Sequence, residues 1–468
     1  MSKLYVFGIG GTGARVLRSL TMLLASGVKC NMDISPIIID PDSGADSLTK
    51  AVKALDEYTD VRNKLNYNSG NNRFFGTKIY EDVPRYYIPL QHTANKTFDN
   101  YISLPTMSQQ NQALMRMLFS DDNLASGMQV GFKGNPNIGS VVLNQFVTSM
   151  GFQSFANAFQ QGDRIFIISS IFGGTGASGF PLLLKTLRAN NTIPNFNLIN
   201  NSAIGAITVL PYFTVTVDEQ SSIDSSDFID KTKSALAYYD TNITGTNSID
   251  RLYYIADTLT PTYTNSEGGK EQKNEAHIVE LLSALAVVDF ANAQIQGAGQ
   301  NTTCFEFGLN NNTDGNTKTV TFSELGDTTK KQIAKPLTCF LLFSKYLANA
   351  CKGQYRYQPW AIDAGFDGTF FSSEFEKKVE SVLGLYDQWL RELAENTRAF
   401  APFDLKKQQN IFKMVQHVEP RRTYMNNYAL FDNALNAQHR PAGISNEQWF
   451  VDLFFQATIN LITSKFNL

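Results

Sequence analysis

One stretch, residues 164–188, constrains the fold more than any other part of the sequence. It opens with β-branched and aromatic apolar residues from Ile165 to Phe172, which is typical of a strand buried on both faces of a parallel sheet. The sequence FGGTGASG follows at once, and the apolar residues after it recur at helical spacing. The stretch therefore predicts a strand, a glycine-rich turn and a helix.

Such a turn is a candidate phosphate site. It gathers backbone N–H groups at a helix N-terminus, where their partial positive charge favours a phosphate. Its glycines allow close approach to the backbone, and the hydroxyls of Thr175 and Ser178 can donate hydrogen bonds to phosphate oxygens. The P-loop pattern G-x-x-x-x-G-K-S/T is absent, which argues against the NTPase folds that carry it. The alternative to a phosphate site is a turn whose glycines serve only tight packing between the strand and the helix.

Composition narrows the class of protein. A chain of 468 residues with 43% apolar residues is long enough for two or about three domains with a large core. The net charge of −3 and the isoelectric point near 5.9 argue against a general nucleic-acid surface, and no Lys/Arg cluster indicates a local one. We therefore expect no nucleic-acid partner.

Cysteine and histidine usage argues against a structural metal site or a disulfide framework. The four cysteines have no C-x-x-C spacing and the four histidines lie far apart, which favours a reducing compartment. The sequence begins directly with a predicted strand and lacks a leader pattern, and no apolar run reaches membrane-spanning length. These features predict a cytoplasmic protein without a membrane partner.

A second glycine-rich turn opens the chain. Residues 3–27 have the order of a strand, a glycine-rich turn and an amphipathic helix. Within them, Gly8, Gly10 and Gly13 satisfy the G-x-G-x-x-G pattern of a Rossmann dinucleotide site. An NAD-binding enzyme is therefore one hypothesis.

Two more loops follow predicted elements. A short apolar strand ends in Asp40 and Asp42. In a Rossmann site, an acid at this place binds a ribose hydroxyl. In a triphosphate site, the same loop contacts phosphate through a metal ion or water. A solvated turn is the alternative for these acids. Residues 131–139, which include Gly134 and Asn135, form another glycine-rich turn that opens a helix. Loops at successive strand ends are expected to face one crevice.

The loops resemble those of the tubulin/FtsZ superfamily of GTPases. The family signature G-G-G-T-G-S/T-G is similar to residues 172–179, with Phe172 at its first glycine and one residue added at Ala177. The opening loop G-x-G-G-x-G-N and the third loop G-A-G-x-N-P-x-x-G are similar to residues 8–14 and 131–139. The sequence DPDS after the second strand is similar to the N-T-D-A of FtsZ.

The resemblance continues into the base-binding part of the family. Residues 203–213 are similar to its V-V-T-x-P-F segment near the ribose, and in a later strand Asp257 falls near the asparagine that reads guanine. Residues 274–294 have the length and apolar character of the long central helix, with Asn274 at the start. The resemblance therefore implies base recognition by Asn274, with help from His277 or a residue near Asp257.

The resemblance covers roughly residues 3–300 and implies the fold class. We expect an α/β protein with a parallel-sheet, tubulin/FtsZ-like nucleotide-binding domain, a long central helix and a divergent, mostly helical C-terminal domain. The corresponding boundaries are residues 1–273, with an insertion at about 50–130, then 274–296 and 297–468.

The C-terminal domain is read from apolar patterns alone. Residues 318–325 and 337–343 are predicted as strands of a small second sheet. Amphipathic patterns predict helices over residues 374–396 and 446–466. The aromatic residues of the second cover more than one narrow face, so we expect it to dock on the body of the protein as core rather than stay free for a partner or a membrane. Partner proteins are one possible use of the outer faces of these helices.

The resemblance also implies GTP or GDP and Mg²⁺ as ligands. The glycine loops would hold the phosphates, Asp42 would bind Mg²⁺ through water, and Asn274 would read the base. The implied nucleotide-binding residues are Gly10, Gly11, Thr12, Gly13, Asp40, Asp42, Gly134, Asn135, Gly173, Gly174, Thr175, Gly176, Ala177, Ser178 and Asn274.

Hydrolysis in tubulin and FtsZ depends on an acid from the neighbouring subunit. The loop after the central helix carries this acid, which orients the attacking water, so hydrolysis follows head-to-tail assembly. That loop is expected here at residues 294–308, and its only acid is Glu306. Asp289, in a segment similar to L-D-F-A-D-V of FtsZ, is the rival, although its position falls inside the helix. Glu306 and Asp289 are therefore the candidate catalytic residues for cleaving GTP to GDP and phosphate.

Two classes of function follow. The first is a bacterial or phage cytoskeletal GTPase that assembles with itself, head to tail, into filaments. The second is a nucleotide-binding switch or scaffold in a bacterial stress or anti-phage defence system, with little hydrolysis and with partners on the C-terminal helices. An NAD-binding Rossmann enzyme is a third hypothesis, and it leaves the third and fourth loops unexplained.

Overall fold

The computed structural model of the chain describes residues 2–67, 73–128, 131–132, 134–216, 227–258, 261–264, 269, 274–295, 301–306, 308–310, 313–350, 357–407, 410–421 and 427–466. Within those ranges, no helix combines the length and the apolar character that crossing a membrane requires.

A seven-stranded parallel sheet lies at the centre of the chain. The strands, β1 to β11 in chain order, are Lys3–Ile9, Asp33–Asp40, Tyr87–Pro89, Arg164–Ser170, Ile204–Val209, Thr214–Val215, Arg251–Ile255, Thr262–Tyr263, Thr303–Glu306, Thr319–Val320 and Ala399–Phe400. The central sheet has the order β3-β2-β1-β4-β5-β7-β9, and every neighbouring pair in it is parallel. Two short parallel pairs, β6 with β8 and β10 with β11, lie outside it.

Helices connect these strands and form most of the C-terminal region. The helices, α1 to α16 in chain order, are Gly10–Ala25, Asp46–Arg62, Phe98–Tyr101, Gln109–Leu118, Asp121–Leu124, Pro136–Leu143, Met150–Ala158, Gly174–Ala189, Phe196–Asn200, Asp227–Tyr239, Ile278–Asn292, Asp327–Ala350, Pro359–Asp363, Glu374–Glu395, Asn427–Asn436 and Asn446–Lys465. Because parallel neighbours need a crossover connection, the helices between successive strands follow from the sheet topology.

The central strands are continuous apolar runs because the sheet is covered by helices. Every residue of β2 and of β5 is buried. The strand, turn and helix predicted for residues 164–188 are β4, the glycine-rich turn and α8. The predicted α/β fold class with a parallel sheet is therefore confirmed.

The helix α11 is the predicted long central helix. It is buried along almost its whole length, and its apolar residues surround it on all sides, as expected for a helix in the core. It begins at Ile278 rather than at 274, because His277 caps it: the His277 side chain accepts the N–H of Val279 at 3.1 Å, and Glu280 accepts the N–H of His277 at 3.1 Å.

Three sequence predictions about later elements are wrong. Residues 337–343, predicted as a strand, lie inside α12, because a short apolar run does not by itself distinguish a buried helix from a strand. Of residues 318–325, only Thr319–Val320 is a strand, paired with β11. Residues 303–306, predicted within a loop, form β9 at the edge of the central sheet.

The helix α14 packs against α1 and α2 in the N-terminal half. Trp389 is fully buried, and its indole N–H donates to the Ser19 hydroxyl at 3.1 Å. Arg18 of α1 forms an ion pair with Glu392 at 2.6 Å. The predicted helix at 374–396 is therefore confirmed, and it docks as core.

The helix α16 packs against α12 and α15. Phe450 and Phe454 on it are fully buried, and the Phe454 ring stacks on Phe343 of α12 with centroids 4.5 Å apart. The predicted helix at 446–466 is confirmed, and it too belongs to the core.

A buried ion pair also ties the C-terminal region to the sheet. Arg398, just after α14, donates through Nε to both carboxylate oxygens of Asp257 at 2.8 Å, and both side chains are 4% exposed. Asp257 follows β7, so this pair joins the end of α14 to the carboxyl edge of the central sheet.

We expect Arg398→Ala to lower the free energy of unfolding by about 3 kcal/mol or more, because the Asp257 carboxylate stays buried without its guanidinium. Arg391→Ala is the control: Arg391 pairs with Asp387 at 2.7 Å but is half exposed. Its loss should therefore cost below about 1 kcal/mol. Urea unfolding measures both variants, and equal losses would contradict the docking role of the buried pair.

Candidate functional site

Three glycine-rich loops meet at the carboxyl edge of the sheet. A Cβ atom placed on Gly10, whose φ is 70°, would lie 3.3 Å from the Cβ of Thr175. A Cβ atom on Gly174 would lie 3.0 Å from the backbone nitrogen of Asn135. The first, third and fourth loops therefore touch one another, and side chains at these two positions would push them apart.

The fourth loop leads from β4 into the N-terminus of α8. No side chain caps this helix at Gly173, and the N–H of Ala177 donates to the Gly173 carbonyl at 3.1 Å. The N–H groups of Gly174, Thr175 and Gly176 lie in the first turn, where a helix offers them no internal partner. They direct the positive end of the helix dipole into the crevice.

The first loop has the same construction. The helix α1 begins at Gly10, directly after β1, and no side chain caps it. Its first turn contains Gly11, Thr12 and Gly13. Because β1 and β4 are parallel neighbours, the N-termini of α1 and α8 lie side by side at one edge. Two uncapped helix N-termini thus face the same space.

Two predicted phosphate contacts are engaged within the protein instead. The Ser178 hydroxyl donates to the Gly174 carbonyl at 2.6 Å, so its proton is directed into α8. Asn135 caps α6: its Oδ1 accepts the N–H of Asn137 at 3.0 Å, while its own N–H donates to the Phe132 carbonyl at 2.7 Å. The Ser178 hydroxyl and the Asn135 backbone N–H therefore shape the third and fourth loops and are not directed into the crevice.

The acidic second loop adjoins the third. Asp40 Oδ1 accepts the N–H of Asp42 at 3.0 Å, and Asp42 Oδ2 accepts the N–H of Gly269 at 2.6 Å. A Cβ atom on Gly131 would lie 3.9 Å from the ring of Pro41. Both carboxylates are buried and held by backbone N–H groups, which fixes the shape of the loop.

The side chains at the loops could hold Mg²⁺ only together with a bound phosphate. Across the described ranges, no cluster of three or more His, Cys, Asp or Glu side chains has the arrangement of a metal site. Asp42, the predicted Mg²⁺ contact, is buried, and its carboxylate already accepts the N–H groups of Gly44 and Gly269 at 3.0 and 2.6 Å. Phosphate oxygens and water would therefore supply most of the coordination of Mg²⁺.

Sequence reasoning missed Arg15, which is buried beside the first loop. Its Nε donates to Glu280 Oε1 at 2.5 Å and its Nη2 to the Tyr212 hydroxyl at 2.8 Å, and that hydroxyl donates to Glu280 at 2.8 Å. Burial acts to lower the pKa of Arg15, but Tyr212 and Glu280 outweigh it and raise the pKa. Its Nη1 lies 3.3 Å from the position of a Cβ on Gly11. No sequence signal marks it, because Thr12, Arg18 and Ser19 share its face of α1 and make that face look solvent-exposed.

The expected base-reading residues are less accessible than predicted. Asn274 is 8% exposed and lies four residues before α11 begins. His277 is fully buried, and this burial lowers the pKa of its imidazole. Asp257 is committed to Arg398. Neither His277 nor Asp257 is therefore open to a base, which leaves Asn274 as the predicted base contact.

The two candidate catalytic acids lie apart from the loops and from each other. Asp289, near the end of α11, accepts the Tyr253 hydroxyl at 2.6 Å and Arg251 Nη1 at 3.2 Å. Arg251 is the first residue of β7, so Asp289 lies at the amino edge of the sheet, opposite the loops. Glu306 is the last residue of β9, beside Tyr254, so it lies at the carboxyl edge of the sheet. The strand β9 is three strands away from β4, a distance of roughly 14 Å at ordinary strand spacing.

The chain is similar to CetZ proteins. With CetZ from Methanosaeta thermophila strain DSM 6194, the match covers 55% of this chain and 46% of that chain, at 14% sequence identity and a TM-score of 0.24. With the GTPγS-bound protofilament of CetZ2 from Haloferax volcanii, it covers 63% and 61%, at 11% identity and a TM-score of 0.29. This chain thus spans less than two thirds of the length of either protein.

No protein-family model and no curated protein matches the sequence. Because TM-scores this low carry no argument of their own, the site is interpreted from the loops, the strand order and the central helix of this chain.

The buried Asp40 makes stability depend on pH. Burial raises the pKa of its carboxyl to about 7, with a smaller contribution from the charge of Asp42, while the N–H of Asp42 and the charge of Arg15 act to lower it. An aspartate in an unfolded chain has a pKa of about 4. Between these values the folded state binds more protons, so stability falls as pH rises from about 4 to about 7.

Asp40→Asn should remove this dependence. Urea unfolding at several pH values should show the free energy of unfolding of the wild type falling relative to that of the variant across the window. Two curves that stay parallel across it would contradict a protonated Asp40 in the folded protein.

Proposed function

We propose that the chain is a tubulin-like GTP-binding protein that holds a triphosphate across the four loops at the carboxyl edge of its sheet. The observation that carries the proposal is the meeting of two uncapped helix N-termini with the third loop, with Gly10 opposite Thr175 and Gly174 opposite Asn135. Backbone N–H groups arranged in this way are suited to phosphate oxygens.

Each loop has a distinct part in this proposal. The first turn of α8 binds the α- and β-phosphates through N–H groups, and the first turn of α1 binds the β-phosphate. The third loop, at Gly134, approaches the γ-phosphate. The buried ion pair of Arg15 with Glu280 lies behind the first loop and holds α1 against α11. Mg²⁺, when bound, neutralises phosphate charge, and Asp42 holds one of its waters. The choice of GTP follows the resemblance of the loop sequences to GTPases.

The orientation of α11 supports head-to-tail self-association. The helix starts beside Tyr212 and Arg15 at the carboxyl edge. It ends at the amino edge, where Arg164 of β4 donates to the Phe290 and Ala293 carbonyls at 3.2 and 2.8 Å. Stacking two subunits along this axis would bring the amino edge of one against the loops of the next. Asp289, rather than Glu306, is then the acid at the required end.

A nucleotide-binding switch with little hydrolysis is the second candidate. The Asp289 carboxylate is already bound by Tyr253 and Arg251, and residues 293–302 contain no acid. An acid committed to other side chains is less free to orient water. An NAD-binding enzyme is less well supported, because it gives no role to the contact between the third and fourth loops.

Light scattering and phosphate release with GTP, GDP or ATP and Mg²⁺ distinguish the two candidates. A self-assembling GTPase should scatter light with GTP, and its phosphate release should rise more than linearly with protein concentration. Asp289→Asn, which keeps an acceptor for Tyr253, should lower phosphate release by roughly a hundredfold at unchanged GTP affinity. Glu306→Gln is the matched control and should change neither quantity.

The opposite results are equally informative. Tight GTP binding with neither scattering nor phosphate release would overturn the self-assembling GTPase and favour the switch. The absence of any nucleotide binding would overturn the proposed function itself.

A further inference from the structure

One large cleft lies beside the phosphate loops rather than among them. It has a volume of about 1210 Å³, and most of its wall comes from α5, α6, α8 and α10. It extends from Gly134 in the third loop along α8, where its described lining begins at Ala177 and ends at Lys185. Most of the cleft thus lies along the helices at the side of the sheet, away from the edges that a head-to-tail stack would join.

The lining of this cleft combines apolar surface with balanced charge. Ile138, Leu182 and Ala235 supply apolar surface from three different helices. The charged side chains are two acids and two lysines, namely Asp122, Asp230, Lys185 and Lys231. Small-molecule pockets usually have volumes of about 300–1,000 Å³, so the cleft is larger than such a ligand needs. A groove of this kind suits the apolar face of a helix.

A short helix next to the cleft presents an apolar face to solvent. Leu114, Met117 and Leu118 of α4 recur at the spacing i, i+3 and i+4, and they are 48%, 84% and 58% exposed. All ten residues of α4 are described, and none of them is buried. Residues 119–120 alone separate α4 from α5, whose Asp122 lines the cleft. Helix and cleft are therefore neighbours on the surface.

Further exposed apolar side chains lie on the helices that form the cleft. They are Val141 of α6 and Ile229 and Tyr238 of α10, of which Tyr238 itself lines the cleft. Exposed apolar side chains that gather in one region mark a contact with another protein, because a partner removes them from water.

The charge of α4 indicates what covers its apolar face. Arg116 is the only charged residue of this helix, and it forms an exposed ion pair with Asp121 at 3.1 Å. A helix that binds a membrane surface or a nucleic acid needs several lysines or arginines. A nearly uncharged helix fits a groove without net charge, and this chain carries such a groove. Because α4 is tied to the wall of its own cleft and faces solvent, the groove that it fits is that of a second copy.

We propose that α4 of one subunit docks its apolar face in the cleft of a second copy of this chain, and that the second copy returns the same contact. Because helix and cleft are neighbours on each subunit, a two-fold axis between the subunits makes both contacts at once. A specific interface buries about 1,000 Å² or more, which two such contacts supply more readily than one. This pairing is separate from nucleotide binding and from head-to-tail association, so it goes beyond the proposed function.

Sedimentation velocity of the full chain without nucleotide, over a range of concentrations, tests the proposal. The wild type should show an equilibrium between monomer and dimer. Met117→Glu on α4 and Ser234→Arg in the cleft should each raise the dissociation constant of the dimer by roughly a hundredfold, since each change affects both contacts. Both side chains are exposed, so neither change should disturb the fold.

Each variant has a matched control on its own helix. Gln109→Glu places the same charge on α4, at an exposed position that points away from the apolar face. Ala237→Arg places the same side chain on α10, at an exposed position outside the described lining of the cleft. Both controls should leave the dissociation constant within about twofold of the wild type, because neither changes a docked surface.

A mixture of the two variants gives the sharpest check. The intact helix of the Ser234→Arg chain can dock in the intact cleft of the Met117→Glu chain, so one of the two contacts returns. The mixed dimer should therefore form at lower concentration than the dimer of either variant alone.

Three results would overturn the inference. The first is a wild type that stays monomeric at every concentration. The second is a mixture of the variants that associates no better than each variant alone, which would exclude the docking of this helix in this cleft. The third is a monomer that binds vesicles of anionic lipid through Met117, which would make a membrane the partner. Because no nucleotide is present, none of these results bears on the proposed function, which the experiments with GTP test separately.

Discussion

The site depends on the parallel pairing of β1 with β4. Their register places Gly8 beside Ile168, so the two strands end at the same edge and the helices after them, α1 and α8, begin side by side. Two helix N-termini that point at one space concentrate positive potential there. A bound anion relieves the repulsion between these ends, which is the physical reason to expect a phosphate in this crevice.

The buried pair of Arg15 and Glu280 connects the first loop to the central helix. Breaking such a pair leaves a buried charge without its partner, so α1 and the start of α11 are held in one arrangement. Because α11 is buried along its length and ends near Asp289, one rigid element reaches both edges of the sheet. The two surfaces that a head-to-tail stack would bring together are thus set by a single helix.

The parts of the fold that the sequence predicted are those with strong local patterns. The strand, turn and helix at 164–188 combine a continuous apolar run with a glycine cluster, and the helix at 374–396 has a clear apolar face. The run at 337–343 is too short to separate a buried helix from a strand, and it was predicted wrongly. The ion pair of Arg15 with Glu280 joins residues far apart in the chain, so no local pattern reveals it. Nor does a glycine motif indicate that Ser178 bonds within its own helix.

An experimental structure of the chain with GTPγS and Mg²⁺ would test the proposed phosphate site most directly. We expect phosphate oxygens within hydrogen-bond distance of the N–H groups in the first turns of α1 and α8, with the γ-phosphate beside Gly134. A nucleotide bound elsewhere on the chain, with these two helix N-termini facing only solvent, would contradict it.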